Sequence, residues 1–318
     1  MANVISLLNH KGGVGKTTSA INVGAGLVEL GKKVLLIDLD PQANLTVSLG
    51  IARQPVTIYE SLRGESELAP VTVKPDLDVV TSSLDLSGAE MELVNEPGRE
   101  FLLRGLFEPV QDEYDFIIID CPPSLGLLTL NALTSSDNVY IPLQTEFLAL
   151  QGVAKIKQVI DKVRFRLNRK LKIGGVIATM YDSRKVLNRD VVSTIQKHFG
   201  ERVFETKIRS TVALAEAPAQ RLDIFAYSPK SNGAKDYLAL CREIVARVAA
   251  EDAAAAAAPA AAATKPARLS TTSSRAPLAE RAPAPAAARQ AAPAPPVRVA
   301  EPATPAPAAE RIVVDLHD

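Results

Sequence analysis

The sequence has few of the residues that stabilise small secreted or metal-rich proteins. Its 318 residues include two cysteines, three histidines and no tryptophan. Two cysteines without metal-ligand spacing exclude a disulfide scaffold and are typical of a reducing compartment. The sequence also lacks a secretion signal and any run of 18 consecutive apolar residues, so we expect a cytoplasmic protein that does not bind membranes.

A net charge of either sign is also absent. The chain has 36 basic and 36 acidic residues, divided 29/29 before residue 251 and 7/7 from residue 251 onward. No electrostatic signature of the whole chain therefore indicates nucleic acid as a partner. Any binding to nucleic acid must come from a local basic patch.

Aromatic residues are missing from the C-terminal fifth of the chain. All 14 lie before residue 251, whereas half of the 22 prolines lie after residue 250. A segment dominated by alanine and proline cannot bury enough apolar surface to offset the entropy lost on ordering. The composition predicts a folded domain over residues 1–250 and a low-complexity, disordered Ala/Pro-rich tail over residues 251–318.

Short apolar runs alternate with segments of helical periodicity, which predicts an α/β fold with a doubly wound, mostly parallel sheet covered by helices on both faces. The expected strands are Val4–Leu8, Val34–Ile37, Leu77–Val80, Phe116–Ile119, Val139–Ile141 and Ile173–Ala178. The expected helices are Lys16–Leu30, one over residues 156–167, Asn188–His198 and Ala234–Val248. We expect short helices and loops over residues 46–75 and 82–98.

A glycine-rich loop follows the first predicted strand and begins the first predicted helix. Its glycines allow backbone N–H groups to surround a polyphosphate, and the helix N-terminus favours the same anion. A lysine reaches the β- and γ-phosphates and a threonine hydroxyl suits Mg²⁺. We therefore predict a site for ATP and Mg²⁺ formed by Lys11, Gly12, Gly13, Val14, Gly15, Lys16, Thr17 and Thr18.

Carboxylates follow two other predicted strands. Asp38 and Asp40 end the second strand, and Asp120 follows the strand Phe116–Ile119. In an open parallel sheet, ligands bind at the carboxyl ends of the strands, where carboxylates can hold Mg²⁺ or orient a water. We predict that Asp40 and Asp120 act with Thr17 in the metal site. For Asp38 a direct role and a purely structural role stay open.

Four blocks of the sequence, in the same order, resemble ParA-type (Soj-like) partitioning ATPases. Lys11–Thr18 resembles a deviant Walker A motif with a second, signature lysine before the glycines. The other blocks are Leu36–Asn44, Ile118–Leu125 and Leu214–Pro218. The resemblance extends from the first strand to about Val248 and implies a P-loop NTPase fold.

This resemblance implies an ATP-dependent switch for DNA partitioning. ATP would close a homodimer in which Lys11 reaches the partner's phosphates, so that Lys11, Lys16 and Asp40 are the expected catalytic residues. Asp40 would position the attacking water, Asp120 would support Mg²⁺, and Pro122–Ser124 would belong to a second switch. The ATP-bound dimer would bind duplex DNA without sequence preference on the nucleoid. A ParB-type partner would then stimulate an otherwise slow hydrolysis.

Other family features map less directly. Two positions near the Leu214–Pro218 block, Arg209 and Thr211, correspond loosely to adenine-side contacts in relatives. Candidate DNA contacts are Arg184, Lys185 and Arg189, which surround the start of a predicted helix. Basic side chains and helix N–H groups can meet the same phosphate there.

Two alternatives stay open at this point. A ParA-like ATPase that positions a protein cargo has the same motifs, and the sequence does not separate the two. A MinD-like, membrane-associated ATPase would end in a basic amphipathic helix. Here residues 311–318 are short and weakly acidic.

Overall fold

In the computed structural model, residues 1–146 and 149–257 are described, and within them seven strands form one sheet. The strand order is β3-β4-β2-β5-β1-β6-β7, and β3 pairs with β4 in the antiparallel direction while the other pairs are parallel. The strands are β1 (Asn3–Leu7), β2 (Val34–Asp38), β3 (Val71–Lys74), β4 (Leu77–Val80), β5 (Phe116–Asp120), β6 (Asn138–Gln144) and β7 (Lys172–Thr179).

Helices connect these strands. They are α1 (Lys16–Val28), α2 (Asn44–Ser48), α3 (Ile58–Leu62), α4 (Ala89–Glu92), α5 (Leu102–Phe107), α6 (Leu127–Ser135), α7 (Ala149–Arg166), α8 (Val186–Phe199), α9 (Val212–Glu216), α10 (Ile224–Tyr227) and α11 (Asn232–Ala257). Short 3-10 helices cover Leu84–Gly88, Leu93–Asn95, Arg99–Phe101, Gln111–Glu113, Gly200–Arg202 and Ala217–Gln220.

The predicted doubly wound sheet is confirmed, and each of the six expected strands is present. The prediction of only helices and loops over residues 46–75 was wrong at β3, an antiparallel edge strand that is largely half-buried. A four-residue edge strand buries too little for a continuous apolar run, so its pattern is weak. The last helix, α11, extends past the predicted boundary at residue 250. The predicted tail from residue 258 onward lies outside the described residues.

Two hydrophobic cores cover the two faces of the sheet. Successive residues of β5 point to opposite sides, so that Ile117 and Ile119 join one core while Phe116 and Ile118 join the other. The first core contains apolar side chains of α6, α7 and α8, and the second contains those of α1, α10 and α11. The central strands are buried on both sides, which explains their continuous apolar sequence.

The strand order brings the carboxyl ends of three strands together at one edge of the sheet. Because β5 lies between β1 and β2, the carboxyl ends of these strands are neighbours, with Leu7 opposite Asp120 and Asp38 opposite Asp120. This edge is where ligands bind in open α/β sheets. Among the described residues, no helix is both long enough and apolar enough to cross a membrane.

Helix α1 contacts α11 closely at Gly26. A Cβ atom there would lie 2.7 Å from Cys241 Sγ and 3.0 Å from Phe225 Cζ. We predict that Gly26→Ala destabilises the fold by about 1–3 kcal/mol, because extra volume in a packed core forces its neighbours apart. Urea denaturation would measure the change in the free energy of unfolding.

The matched control is Gly105→Ala in α5, where a Cβ atom would meet nothing within 4 Å. Alanine is favoured over glycine in helices, so this variant should be neutral or more stable by about 0.5–1 kcal/mol. Equal effects of the two substitutions would contradict the close approach of α1 and α11.

Candidate functional site

The glycine-rich loop joins β1 to α1 in a conformation that two of its glycines require. Gly13 and Gly15 have φ values of 72° and 88°, in the left-handed region that side chains disfavour. The Thr179 hydroxyl donates a hydrogen bond to the Val14 carbonyl oxygen at 2.9 Å, which fixes the loop against β7. Gly15 precedes α1 and offers no side-chain cap, so the N–H groups of the first turn remain available to an anion.

The loop borders a cavity of about 420 Å³. Lys16 lines this cavity and is only 7% exposed. Thr17, Thr18 and Asp40 line the same cavity, together with Pro123 of the predicted second switch. The structure therefore brings Asp40 and Pro123, from two separate sequence blocks, to the phosphate loop.

Lys11 is not among the residues that line this cavity. Its backbone N–H donates to Asn9 Oδ1 at 3.0 Å, and Asn9 is anchored in turn on the Pro142 carbonyl oxygen at 2.7 Å. The Lys11 ammonium group is 3.4 Å from Glu146 Oε2 in a partly exposed ion pair. Such a pair contributes little free energy. The side chain can therefore exchange this contact for another anion, and its role in trans stays a prediction.

Asp120 is fully buried at the end of β5. Both of its carboxylate oxygens are buried and make no hydrogen bond among the described residues. Burial, reinforced by the neighbouring negative charge of Asp38, raises the pKa of Asp120 to about 8, against the smaller opposing effects of Thr17 and Lys16. Two unpaired carboxylate oxygens beside a threonine hydroxyl form a donor set that fits Mg²⁺ with its retained waters.

No cluster of three or more His, Cys, Asp or Glu side chains in residues 1–146 and 149–257 is arranged to hold a metal ion. This agrees with a magnesium site that uses few protein ligands. Mg²⁺ commonly binds one or two protein groups and takes its remaining ligands from phosphates and water.

The hydrogen bonds of Asp38 within the protein favour a structural role for this carboxylate. Its Oδ2 accepts hydrogen bonds from the Thr46 backbone N–H at 2.9 Å and from the Thr46 hydroxyl at 2.7 Å. Its Oδ1 accepts a weaker one from the Asp40 N–H at 3.3 Å. Burial raises the pKa of Asp38 to about 6, although the Thr46 hydrogen bonds oppose this shift. Both oxygens are thus already used within the protein.

Asp40 is held in place by its neighbours. Its Oδ1 accepts a hydrogen bond from the Gln42 N–H at 3.0 Å, and its carbonyl oxygen accepts one from the Ser82 hydroxyl at 2.8 Å. The Ser82 N–H also donates to Thr46 Oγ1 at 3.1 Å. Thr46 and Ser82 therefore connect Asp38, Asp40 and the loop after β4. The sequence analysis missed both, because isolated hydroxyl residues carry no distinguishing pattern.

The predicted second switch, Pro122–Ser124, is held by a hydrogen bond from helix α6. The Thr129 hydroxyl donates to the Ser124 carbonyl oxygen at 2.5 Å. Glu90, from the α4 segment, accepts a hydrogen bond from the Leu128 N–H at 3.4 Å, near the start of α6. A carboxylate at a helix N-terminus is electrostatically favourable. The segment before α6 is thus linked to a distant part of the chain.

Arg209 and Thr211 line a second cavity, of about 570 Å³, which shares Met180 with the phosphate-loop cavity. Arg209 forms a two-point ion pair with Asp236 of α11, at 2.6 Å and 2.9 Å. The Thr211 hydroxyl accepts a hydrogen bond from the Leu214 N–H and caps α9. Both residues are therefore next to the phosphate site, although their observed contacts are structural. Their contact with adenine stays a prediction.

The three candidate DNA residues differ in their contacts. Arg184 is 88% exposed but pairs with Asp182 through two hydrogen bonds of 3.0 Å, and these bonds lower the pKa of Asp182 to about 2. Arg189 donates to the Ser183 carbonyl oxygen at 2.6 Å. Lys185 precedes the first residue of α8. The charge of Arg184 is thus partly offset by Asp182, and DNA binding at these residues stays a prediction.

Comparison with known proteins identifies the family to which the chain belongs. A family model described as an AAA domain (AAA_31) matches residues 2–173. The chromosome-partitioning ATPase Soj of Treponema pallidum is 48% identical over 250 residues, which cover 78% of this chain and 98% of Soj. The chromosome partitioning protein ParA of Caulobacter vibrioides is 43% identical over 251 residues, with 77% and 94% covered. The chain belongs to the ParA/Soj family.

The same fold occurs in a solved structure. A protein of Mycobacterium smegmatis, described as cobyrinic acid a,c-diamide synthase with bound ATP analogue and magnesium, is 36% identical. It superposes with a TM-score of 0.71 over 79% of this chain and 97% of its own. The P-loop NTPase fold that the resemblance implied is confirmed.

The buried, unpaired carboxylate of Asp120 generates a prediction about stability. The pKa of Asp120 is 3.8 ordinarily and about 8 in the folded protein. Between these values the folded state binds a proton that the unfolded state has released. In metal-free, nucleotide-free buffer, stability should therefore fall as the pH rises from about 4 to about 8. Asp120→Asn should be more stable than wild type at pH 8 by about 1 kcal/mol or more, because it removes a buried charge.

Thermal unfolding at pH 5 and pH 8 in the presence of a chelator would measure this effect. The stabilising effect of Asp120→Asn should shrink at pH 5, where the wild-type carboxyl is already protonated. Asp137→Asn is a suitable control, because this carboxylate accepts a hydrogen bond from the Val4 N–H at 3.0 Å. Destabilisation by Asp120→Asn at pH 8 would contradict an unpaired carboxylate.

Proposed function

We propose that this protein is an Mg²⁺-dependent ATPase that drives DNA partitioning. The observation that supports this most strongly is the convergence of three chain segments at one sheet edge. A phosphate loop with a buried lysine, an ordered aspartate after β2 and an unpaired aspartate at the end of β5 meet there. These are the parts that phosphoryl transfer to water needs.

Each residue has a role that its position supports. The loop N–H groups and Lys16 bind the β- and γ-phosphates, while Thr17 and Asp120 hold Mg²⁺, which would neutralise developing charge on the phosphates. Asp40, fixed by Gln42 and Ser82, orients a water for in-line attack on the γ-phosphorus and accepts its proton. The bond to the β-phosphate oxygen breaks, which releases ADP and phosphate. Catalysis of this kind depends on positioning and charge stabilisation.

The ATP-dependent switch follows from a site that one subunit does not complete alone. Lys11 does not line the phosphate-loop cavity and is held in a partly exposed ion pair. Hydrolysis is therefore slow in one subunit, and a second subunit contributes Lys11 in trans. The ATP-bound homodimer binds duplex DNA without sequence preference, which places the cytoplasmic protein on the nucleoid. A ParB-type partner completes the site, stimulates hydrolysis and releases the dimer. Relatives named chromosome-partitioning proteins support this assignment.

Substitutions at two residues separate binding from turnover. Asp40→Ala should still bind ATP and accumulate as a dimer, while ATP turnover falls about 10²- to 10⁴-fold, because Asp40 acts on the water and not on the phosphates. Lys11→Ala should instead weaken the ATP-dependent dimer. Gel filtration with ATP, combined with phosphate release, distinguishes these outcomes. Normal hydrolysis by Asp40→Ala would refute its proposed role.

The proposed function itself is tested by binding to DNA. We expect ATP-dependent co-sedimentation with plasmid DNA of arbitrary sequence, and a steep loss of affinity with salt, because binding to phosphates releases counterions. Lys16→Ala, which removes the buried cation of the phosphate loop, should abolish the ATP dependence. Anionic vesicles serve as the parallel sample. Binding to vesicles but not to DNA would overturn the proposal in favour of a membrane-positioning ATPase.

A further inference from the structure

An unusually basic segment covers α7 and the turn that follows it. Residues 155–172 include eight Lys or Arg residues and one acidic residue, Asp161. The charge of Asp161 is already neutralised, since its carboxylate is 2.6 Å from the Lys157 ammonium group. A chain with no net charge thus has a strong local excess of positive charge along one helix. This segment lies outside the nucleotide site and the family's motif blocks.

The geometry of α7 separates these charges into two groups. Residues 155, 162 and 166 are spaced by seven and four positions, which places Lys155, Lys162 and Arg166 on the same side of a helix. All three are exposed, and none makes an ion pair in the part of the chain that the structure describes. At 1.5 Å per residue they extend over about 17 Å. We call these three residues the basic stripe.

Two lysines of the segment that lie outside the stripe form ion pairs. Lys157 pairs with Asp161, and Lys172 pairs with Glu251 at 2.8 Å. Arg164 borders a cavity at the N-terminal edge of the sheet that also contains acidic side chains. These acidic side chains are Asp112, Asp115, Asp137, Glu251 and Asp252. The basic stripe does not border this cavity, so its charges remain available to a partner.

The stripe is held on a rigid support. Ile156, Ile160 and Val163 of α7 are buried in the first core. After the helix, Asn168 Nδ2 donates to the carbonyl oxygens of Leu133 and Ser136 at 3.0 Å and 2.7 Å, which fixes the turn against α6. Fixed cations lose less conformational freedom on binding than mobile ones.

We propose that the basic stripe binds the sugar-phosphate backbone of duplex DNA. This inference rests on the proposed DNA binding and assigns it a surface. Duplex DNA carries one negative charge per about 1.7 Å of axis, so several phosphates fall within the length of the stripe. Helices α7 and α8 pack on the same face of the sheet.

A lipid surface is less well matched. Phe165, which is 80% exposed, lies beside the stripe and would favour an anionic membrane. However, the remaining apolar side of α7 is already buried in the core, and one phenylalanine gives little apolar area for insertion. The charges of the stripe, rather than its single aromatic side chain, dominate the surface.

The test compares two triple variants that remove equal charge from the full-length protein. The stripe variant is Lys155→Gln, Lys162→Gln, Arg166→Gln, and the control variant is Lys157→Gln, Arg164→Gln, Lys172→Gln. With ATP and plasmid DNA, the stripe variant should bind at least about tenfold more weakly. The slope of log affinity against log salt should fall by about 3 for each protomer in contact with DNA, at about 0.9 per phosphate contact. The control variant should retain the wild-type slope.

Further variants and controls distinguish failure of this inference from failure of the proposed function. A charge-preserving variant, Lys155→Arg, Lys162→Arg, Arg166→Lys, should restore the slope, and fluorescent-ATP binding should be unchanged in every variant. Stripe and wild-type proteins with equal affinity and slope would overturn this inference while leaving the proposed function intact. Absence of any binding of wild type to DNA would instead refute the proposed function. Loss of binding only to phosphatidylglycerol vesicles would assign the stripe to membranes and overturn its assignment to DNA.

Discussion

The site depends on how the protein accommodates acidic groups side by side at the buried edge of a parallel sheet. Asp38 and Asp120 occupy paired positions on adjacent strands, and each disfavours ionisation of the other. The two carboxylates differ in their hydrogen bonds. Asp38 receives hydrogen bonds from Thr46 and Asp40, whereas the carboxylate oxygens of Asp120 receive none from residues 1–146 and 149–257. One carboxylate therefore organises the backbone, and the other is left in need of a cation. A buried charge without a partner costs free energy that a bound cation would recover.

The hydrogen bonds of Asp38 also connect the site to two other segments of the chain. Thr46 belongs to α2 and Ser82 to the loop after β4. Ser82 donates hydrogen bonds both to Thr46 Oγ1 and to the Asp40 carbonyl oxygen, so these two segments are connected to Asp40. Ala43, between Asp40 and Thr46, has a φ of 51°, which is unfavourable for a residue with a side chain. Met180, which lines the phosphate cavity, has a φ of 52°. Backbone strain of this kind persists only where surrounding contacts impose it, and it concentrates at sites that bind or switch.

The sequence predicted those features that depend on local pattern. The strand-loop-helix order and Gly-Lys-Thr predicted the phosphate loop, and apolar runs that end in aspartate predicted the positions of Asp40 and Asp120. Features that depend on tertiary contacts were not predictable in this way. The edge strand β3 is half-buried and lacks the apolar pattern of the central strands. The functions of Thr46 and Ser82 arise from contacts across 8 and 42 residues of sequence. The pairing of Arg184 with Asp182 likewise becomes visible only in three dimensions.

Pairing of charges, rather than their number, determines where this neutral chain can attract an anion. Most exposed ion pairs contribute little to stability, but each one removes a cation from the long-range field of the surface. On α7 the only acidic residue of the segment is neutralised by Lys157, which lies away from the basic stripe. The stripe therefore keeps its full charge, while Arg184 does not. Two regions of similar composition thus differ in electrostatic potential, because short-range partners are distributed unequally between them.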